Sequence, residues 1–207
     1  MNGTVRFFLA PLTLIAGNTY ADLHIQYSAP LEDRYANLTI FNDGKVTRTL
    51  SGDQYEEGTF EKVVPHFLSK DLTYLHFTQI ASGKVELPDG SSKNHEVVYC
   101  GIINTRSGCL ISKETGSFCG GSFTEDGKWR MPFSPDFDLE RQAPKVEDYY
   151  PKGLSIADHK PLSSLENLMK CDPPSTENLD TYNHLINNNS FTPNDPAFKS
   201  LKSLLAW

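Results

Sequence analysis

The sequence predicts an α+β protein, in which an antiparallel β-sheet (a meander, a sandwich or a small barrel-like structure) is followed by short helices and cross-linked by disulfides. Three observations support this class. Short β-branched and aromatic runs, separated by turn residues, fill the chain up to about residue 133. Beyond it, prolines interrupt the chain, and the last quarter carries apolar residues at helical spacing. Three of the four cysteines lie between residues 100 and 119.

The first 21 residues have the layout of a secretory signal peptide. Arg6 supplies the positive charge, residues 7–17 are mostly apolar, and Ala21 is the small residue that would precede cleavage. The alternative is a first strand or a buried helix of a cytosolic domain. The apolar run is too short to span a membrane. We therefore predict a signal peptide over 1–21, an antiparallel β domain over 22–133, and a Pro-rich crossing segment with C-terminal helices over 134–207.

Composition and charge limit the possible functions. With 38% hydrophobic and 22% charged residues, the 207-residue chain is an ordinary globular protein. Its net charge is −7, and removal of residues 1–21 with Arg6 leaves 18 basic against 26 acidic residues. An acidic chain does not suit nucleic acid, because phosphate binding needs a basic face. The charge favours a basic protein partner, or serves solubility alone.

The four cysteines, Cys100, Cys109, Cys119 and Cys171, are predicted to form two disulfides, as is common in exported proteins. Three pairings are possible, and the sequence does not choose among them. If all four are oxidised, Cys171 bonds a cysteine of the sheet and closes a loop of about 50 to 70 residues, worth on the order of 4 kcal/mol. A zinc site is the rival interpretation, but the gaps of eight, nine and fifty-one residues contain no Cys-x-x-Cys pair.

Alternation and turn residues predict the strands. Asp43-Gly44 supplies the positive φ of a tight hairpin turn, and Pro88-Asp89-Gly90 marks another turn. Gly120-Gly121 indicates a bulge or a close approach of the backbone to a neighbour. The predicted strands cover residues 23–27, 38–41, 46–50, 72–80 and 84–87, with Cys100, Cys109 and Cys119 on three successive strands between Val97 and Phe133.

Apolar spacing and capping residues predict the helices. A short amphipathic helix is expected from Phe60 to Leu68, where apolar residues recur every three or four positions. Ser163 and Glu166 form a possible capping box, and Cys171-Asp172-Pro173-Pro174 would end that helix. Two further helices are predicted over residues 177–186 and from Asp195-Pro196 to the end of the chain.

The sequence contains no compact catalytic or metal-binding motif. The six histidines show no His-x-x-x-His spacing. His95 and Cys100 are separated by an odd number of positions, so a strand would point them to opposite faces. Glu56-Glu57 and Asp136/Asp138 are expected to be solvated loop charges. We therefore predict no enzyme activity, no metal and no cofactor. The alternative is a secreted hydrolase with a site built from dispersed residues such as His24, His76, His95, Asp136 and Asp138.

Aromatic residues alternate with acidic residues after residue 132, a composition typical of binding surfaces. The candidate partner-binding residues are Phe133, Asp136, Phe137, Asp138, Glu140, Asp148, Tyr149 and Tyr150. The alternative is that these aromatic side chains only fasten the segment to the sheet.

The predicted function is that of an exported binding protein, periplasmic or secreted, without catalysis. The most specific version is a bacterial periplasmic immunity or inhibitor protein that neutralises a toxin or a hydrolase. A structural envelope or host-interaction protein is a further alternative. The expected partner is a basic protein, and neither nucleic acid binding nor a membrane span is predicted.

Overall fold

The computed structural model describes residues 22–52, 58–64, 67–150, 152–156, 161–188 and 196–205. The predicted signal peptide over 1–21 and the pair Glu56-Glu57 lie outside these ranges. Within them, the predicted α+β class is confirmed: an open antiparallel sheet of seven strands carries short helices and two disulfides. The helices in these ranges all fall short of the length and apolar character that a membrane crossing requires.

The seven strands form one branched sheet in the order β1-β2-β4-β5-β6-β7, with β3 paired to β2. A separate two-stranded sheet joins β8 to β9. The strands are β1 (Leu23–Leu31), β2 (Arg34–Asn42), β3 (Lys45–Ser51), β4 (Gly58–Phe60), β5 (Tyr74–Glu86), β6 (Ser92–Asn104), β7 (Leu110–Glu114), β8 (Ser122–Phe123) and β9 (Trp129–Arg130).

The predicted hairpin around residues 43 and 44 is confirmed. Asp43 and Gly44 have φ values of 50° and 71°, as a primed two-residue turn requires. The predicted strands 72–80 and 84–87 are one strand, because the ladder between β5 and β6 continues through the pair of Gly83 and His95. The strand predicted over 23–27 likewise extends to Leu31.

The amphipathic helix predicted from Phe60 to Leu68 is wrong. Phe60 ends the short strand β4, and Leu68 forms an isolated bridge with Leu75. The ring of Phe60 is 6.0 Å from the ring of Phe77. These apolar side chains therefore fill the core from an extended and irregular segment, and tertiary packing overrides the local spacing.

The cysteines form the disulfides Cys100–Cys119 and Cys109–Cys171. The prediction that Cys171 bonds one of the three cysteines between Val97 and Phe133 is confirmed, with a sequence separation of 62. The placement of three cysteines on successive strands is corrected. Cys100 lies in β6, whereas Cys109 lies in the turn before β7, and Cys119 lies in a 3₁₀ helix over Gly116–Gly120.

The described part of the C-terminal region contains five short α-helices: α1 (Leu139–Gln142), α2 (Val146–Tyr149), α3 (Leu165–Cys171), α4 (Leu179–Asn188) and α5 (Pro196–Leu205). Ser164, not Ser163, caps α3 by accepting a hydrogen bond from the backbone N–H of Asn167. Helix α3 ends at Cys171 as predicted, and Pro196 occupies the first position of α5.

Three apolar clusters make up the core of the described structure. Successive side chains of β5 point to opposite faces, so Leu75 and Phe77 join one cluster while Tyr74 joins another. The second cluster also contains Trp129 and Leu139. A third cluster lies among α2, α3, α4 and α5. The Cys109–Cys171 bond fastens α3 to the start of β7, which ties the helices to the sheet.

Candidate binding surface

Residues 131–135 form a surface loop whose two ends are fixed to each other; we call it the Phe133 loop. Before and after it, Trp129 and Phe137 exchange both backbone hydrogen bonds, with N–O distances of 2.9 and 2.7 Å. The guanidinium of Arg130 donates to both carboxylate oxygens of Asp136, at 3.1 and 3.0 Å. A bidentate pair of this kind fixes geometry better than a single contact. The ends of the loop are therefore held in a defined position.

The side chain of Phe133 stands fully in solvent. Its relative exposure is 108%, more than that of any other exposed large apolar residue in the described ranges. Its backbone has φ 60°, a conformation that non-glycine residues adopt infrequently. Exposing an aromatic ring of this size forgoes about 2 kcal/mol of burial energy. Folding therefore leaves this ring in solvent.

An open cleft of about 770 Å³ lies beside the loop; we call it the acidic cleft. It is formed by the segment before β5, the turn between β8 and β9, and the start of α1. Lys128 and Asp138 line this cleft, and they are the neighbours of Trp129 and Phe137. The hydrogen-bonded Trp129–Phe137 pair therefore forms a common frame that positions both the cleft and the Phe133 loop. The charged lining residues are the acids Asp71, Glu125, Asp126, Asp138 and Glu140 and the bases Lys70, Arg106 and Lys128.

Two of these carboxylates are held by hydrogen bonds. Bonds from Thr124 and Lys128 lower the pKa of Asp126 to about 2, and the Lys128 ammonium is 2.9 Å from its carboxylate. Partial burial raises the pKa of Asp71, but hydrogen bonds from Thr73 and Ser69 outweigh burial and leave the pKa below its ordinary value. Both groups are therefore negatively charged at neutral pH.

Four of the predicted partner-binding residues lie at this surface. Phe133 is in the loop, Asp136 closes it, and Asp138 and Glu140 line the cleft. The Oδ1 of Asp138 also accepts from the backbone N–H of Arg141 and so caps α1. These four side chains come from one short segment, and the frame formed by Trp129 and Phe137 positions them together.

Phe137 is largely a packing residue, because its ring meets the ring of Phe118 edge to face at 5.7 Å. Asp148 accepts from the backbone N–H of Lys145 at the start of α2, and Tyr150 stacks on His184 at 5.0 Å. The sequence prediction is corrected for Tyr149. With 7% exposure in the helical cluster, its ring has no surface to offer a partner.

The dispersed histidines proposed for a hydrolase site lie in different surroundings. His24 is near Phe41 on β1 and β2, and His76 is buried between the rings of Phe67 and Trp129. His95 pairs with Gly83 seven residues further along the same ladder, about 23 Å from His76 at 3.3 Å per residue. Across the described ranges, no three His, Cys, Asp or Glu side chains are arranged to hold a metal ion.

Sequence reasoning missed the contribution of Asp71, Tyr74 and the turn at Glu125-Asp126 to this surface. Asp126-Gly127 is a typical turn dipeptide, but no local pattern indicates that this turn faces the start of β5. Comparison of the chain with protein-family models, with curated proteins and with solved structures gives no significant match.

Proposed function

We propose that this chain is an exported, non-catalytic binding protein that holds a basic protein partner at the Phe133 loop and the acidic cleft. The observation that carries the proposal is the fully exposed Phe133 ring on a loop with fixed ends. Exposed aromatic side chains commonly dominate binding energy once a partner buries them. A loop that is already ordered loses little conformational entropy on binding. The acidic lining of the cleft beside it complements a basic surface.

Export is supported by the cysteine chemistry. All four cysteines of the chain are in disulfides, which fits an extracellular or periplasmic protein. The signal-peptide pattern of residues 1–21 points in the same direction. Oxidised cross-links also suit a protein that must stay folded outside the cell.

Within this class we propose an inhibitor or immunity protein of the bacterial periplasm, which caps a toxin or a hydrolase. The positive φ of Phe133 favours capping over substrate mimicry. A peptide that adds to the edge of an enzyme's sheet is extended, whereas this backbone turns back at Phe133. The loop therefore suits a partner that receives the ring in a surface pocket.

The test is capture of the partner from the native cell with the mature, oxidised chain. We expect a stoichiometric basic protein, whose affinity falls at least thirtyfold with Phe133→Ala, in line with the ~2 kcal/mol of a binding hot spot. Leu154→Ala is the matched control, since Leu154 is also an exposed apolar residue but lies outside the loop. Repeated isolation without a stoichiometric partner, or equal affinities of the two variants, would contradict the proposal.

A further inference from the structure

The acidic cleft is lined by a largely buried tyrosine that the Phe133 loop does not explain. Tyr74, the first residue of β5, is 8% exposed and lines the cleft. Its backbone N–H donates to Ser69 Oγ at 2.8 Å, and its ring stacks on Phe123. Within the part of the chain that the structure describes, no group hydrogen-bonds to the Tyr74 hydroxyl, whose oxygen remains accessible to solvent. A tyrosine that is more than nine-tenths buried thus directs an unused polar group into the cleft.

Negative charge surrounds this hydroxyl. Burial raises the pKa of Tyr74, and the carboxylates of Glu140, Asp71 and Asp138 raise it further, while Arg106 opposes them with a smaller effect. The phenol therefore stays neutral, and more acidic than basic side chains line the cleft around it. A neutral phenol oxygen accepts hydrogen bonds, so the group that suits this position is a cation bearing N–H donors.

One of these carboxylates is available to such a cation. Asp71 already accepts from Ser69 and Thr73, and Asp138 accepts from Arg141. The side chain of Glu140 has no hydrogen-bond or ion-pair partner among the described residues, and it is exposed at the cleft. A free carboxylate and a phenol oxygen that line the same cleft fit the planar donor fork of a guanidinium, or an ammonium as a point charge.

We propose that the acidic cleft is a receptor site for an arginine or lysine side chain of the bound partner. The Glu140 carboxylate pairs with the cation, and the Tyr74 oxygen accepts one of its N–H groups. The cleft, at about 770 Å³, lies in the ordinary size range of binding sites. A protein side chain is the occupant because the Phe133 loop, on the same frame, offers an apolar contact to the same partner. The identity of the occupant rests on the proposed function, whereas the cation site is testable alone.

The test is an NMR titration of the oxidised, isotope-labelled protein with the capped peptide Gly-Arg-Gly-Arg-Gly. We expect saturable shifts of the backbone amides of Thr73, Tyr74, residues 125–128 and residues 138–140. The same peptide with citrulline in place of arginine removes the charge at nearly constant shape, and we expect no saturable shifts with it.

Two substitutions and one control locate the site. Glu140→Gln is expected to weaken peptide binding about tenfold, because it removes a charge-assisted hydrogen bond. Tyr74→Phe deletes only the hydroxyl and is expected to weaken binding about threefold or more. Glu114→Gln, at an exposed carboxylate at the end of β7, is expected to leave binding unchanged. Urea unfolding of each variant verifies that the cleft remains folded.

The outcomes separate the two proposals. No shifts with the arginine peptide, equal shifts with the citrulline peptide, or unchanged affinity in both cleft variants overturns the cation site. If Phe133→Ala releases the native partner while the cleft variants retain it, the proposed function stands and the cation site fails. Spermidine is titrated in parallel, and tighter binding of this polyamine than of the peptide would overturn the assignment to a protein side chain.

Discussion

The side-chain amide of Asn167 takes the place of a neighbouring strand for Leu110. The Leu110 backbone N–H donates to Asn167 Oδ1 at 2.8 Å, and Asn167 Nδ2 donates to the Leu110 carbonyl at 2.9 Å. Nδ2 also donates to the carbonyl of Leu162, and Oδ1 also accepts from Arg48. Asn167 has no exposed surface. Helix α3 thereby supplies hydrogen-bond partners for the backbone N–H and C=O of the first residue of β7, the last strand in the sheet order.

Asn167→Ala is expected to destabilise the protein by about 3 kcal/mol or more, because it leaves the buried N–H and C=O of Leu110 without partners. Urea unfolding with an unchanged m value measures the loss. Asn183→Ala is the control, since Asn183 is exposed on α4. A loss for Asn167→Ala no larger than that for Asn183→Ala would show that the amide does not support the strand edge.

The Phe133 ring is expected to contribute little to stability, although the proposed binding depends on it. Phe133→Ala is expected to leave the free energy of unfolding within about 0.5 kcal/mol of the parent, because the ring touches no core. Phe133→Gly is expected to be more stable than Phe133→Ala by up to about 1 kcal/mol, since glycine adopts φ 60° without the penalty that a Cβ brings. Paired urea titrations measure the difference. Large destabilisation by Phe133→Ala would mean that the ring is structural.

Sequence signals that depend only on neighbouring residues predicted the local structure correctly. Asp43-Gly44 forms the expected turn, and Pro196 occupies the expected helix position. The helix predicted from Phe60 to Leu68 is wrong, because the apolar side chains of this segment pack against distant residues such as Phe77. The disulfide pairing could not be chosen in advance, because it depends on how α3 meets β7.

The candidate binding surface was predictable only where its residues are close in sequence. Phe133 and Asp136 share one loop, and their composition indicated it. Tyr74 reaches the same surface from strand β5, and only the folded chain brings it to the cleft that Glu140 also lines. Tyr149 was assigned to the surface because aromatic and acidic composition does not distinguish an exposed ring from one that is buried in the helical cluster.

The carboxylate of Asp71 is expected to make stability depend on acid pH. Its folded-state pKa lies below the ordinary value of 3.8, despite the opposing effect of partial burial, because Thr73 and Ser69 donate to it. A carboxyl group with a depressed folded pKa stabilises the protein above its unfolded pKa, and this contribution is lost as pH falls through the folded pKa.

Asp71→Asn should therefore lower the melting temperature at pH 7, and the difference from the parent should shrink below about pH 4. Thermal melts at pH 7, 4, 3 and 2 measure this convergence. Asp180→Asn, at an exposed position of α4, is the control. A difference for Asp71→Asn that stays constant or widens towards pH 2 would contradict the assignment.

Gly121 permits the close approach on which the position of Trp129 depends. A Cβ at Gly121 would overlap the Trp129 indole, whereas a Cβ at Gly120 would meet only a side-chain atom of Pro132 at 3.7 Å. The indole N–H donates to the Phe118 carbonyl at 3.1 Å, so the ring has little freedom to move away.

Gly121→Ala is therefore expected to cost about 1–3 kcal/mol of stability through overpacking, and Gly120→Ala is expected to be nearly neutral. Because Trp129 forms one side of the base of the Phe133 loop, Gly121→Ala should also weaken capture of the partner beyond the effect of Gly120→Ala. Urea unfolding and partner affinity are measured on both variants. Equal behaviour of the two glycine variants would show that the indole adjusts freely, and that the loop does not depend on its position.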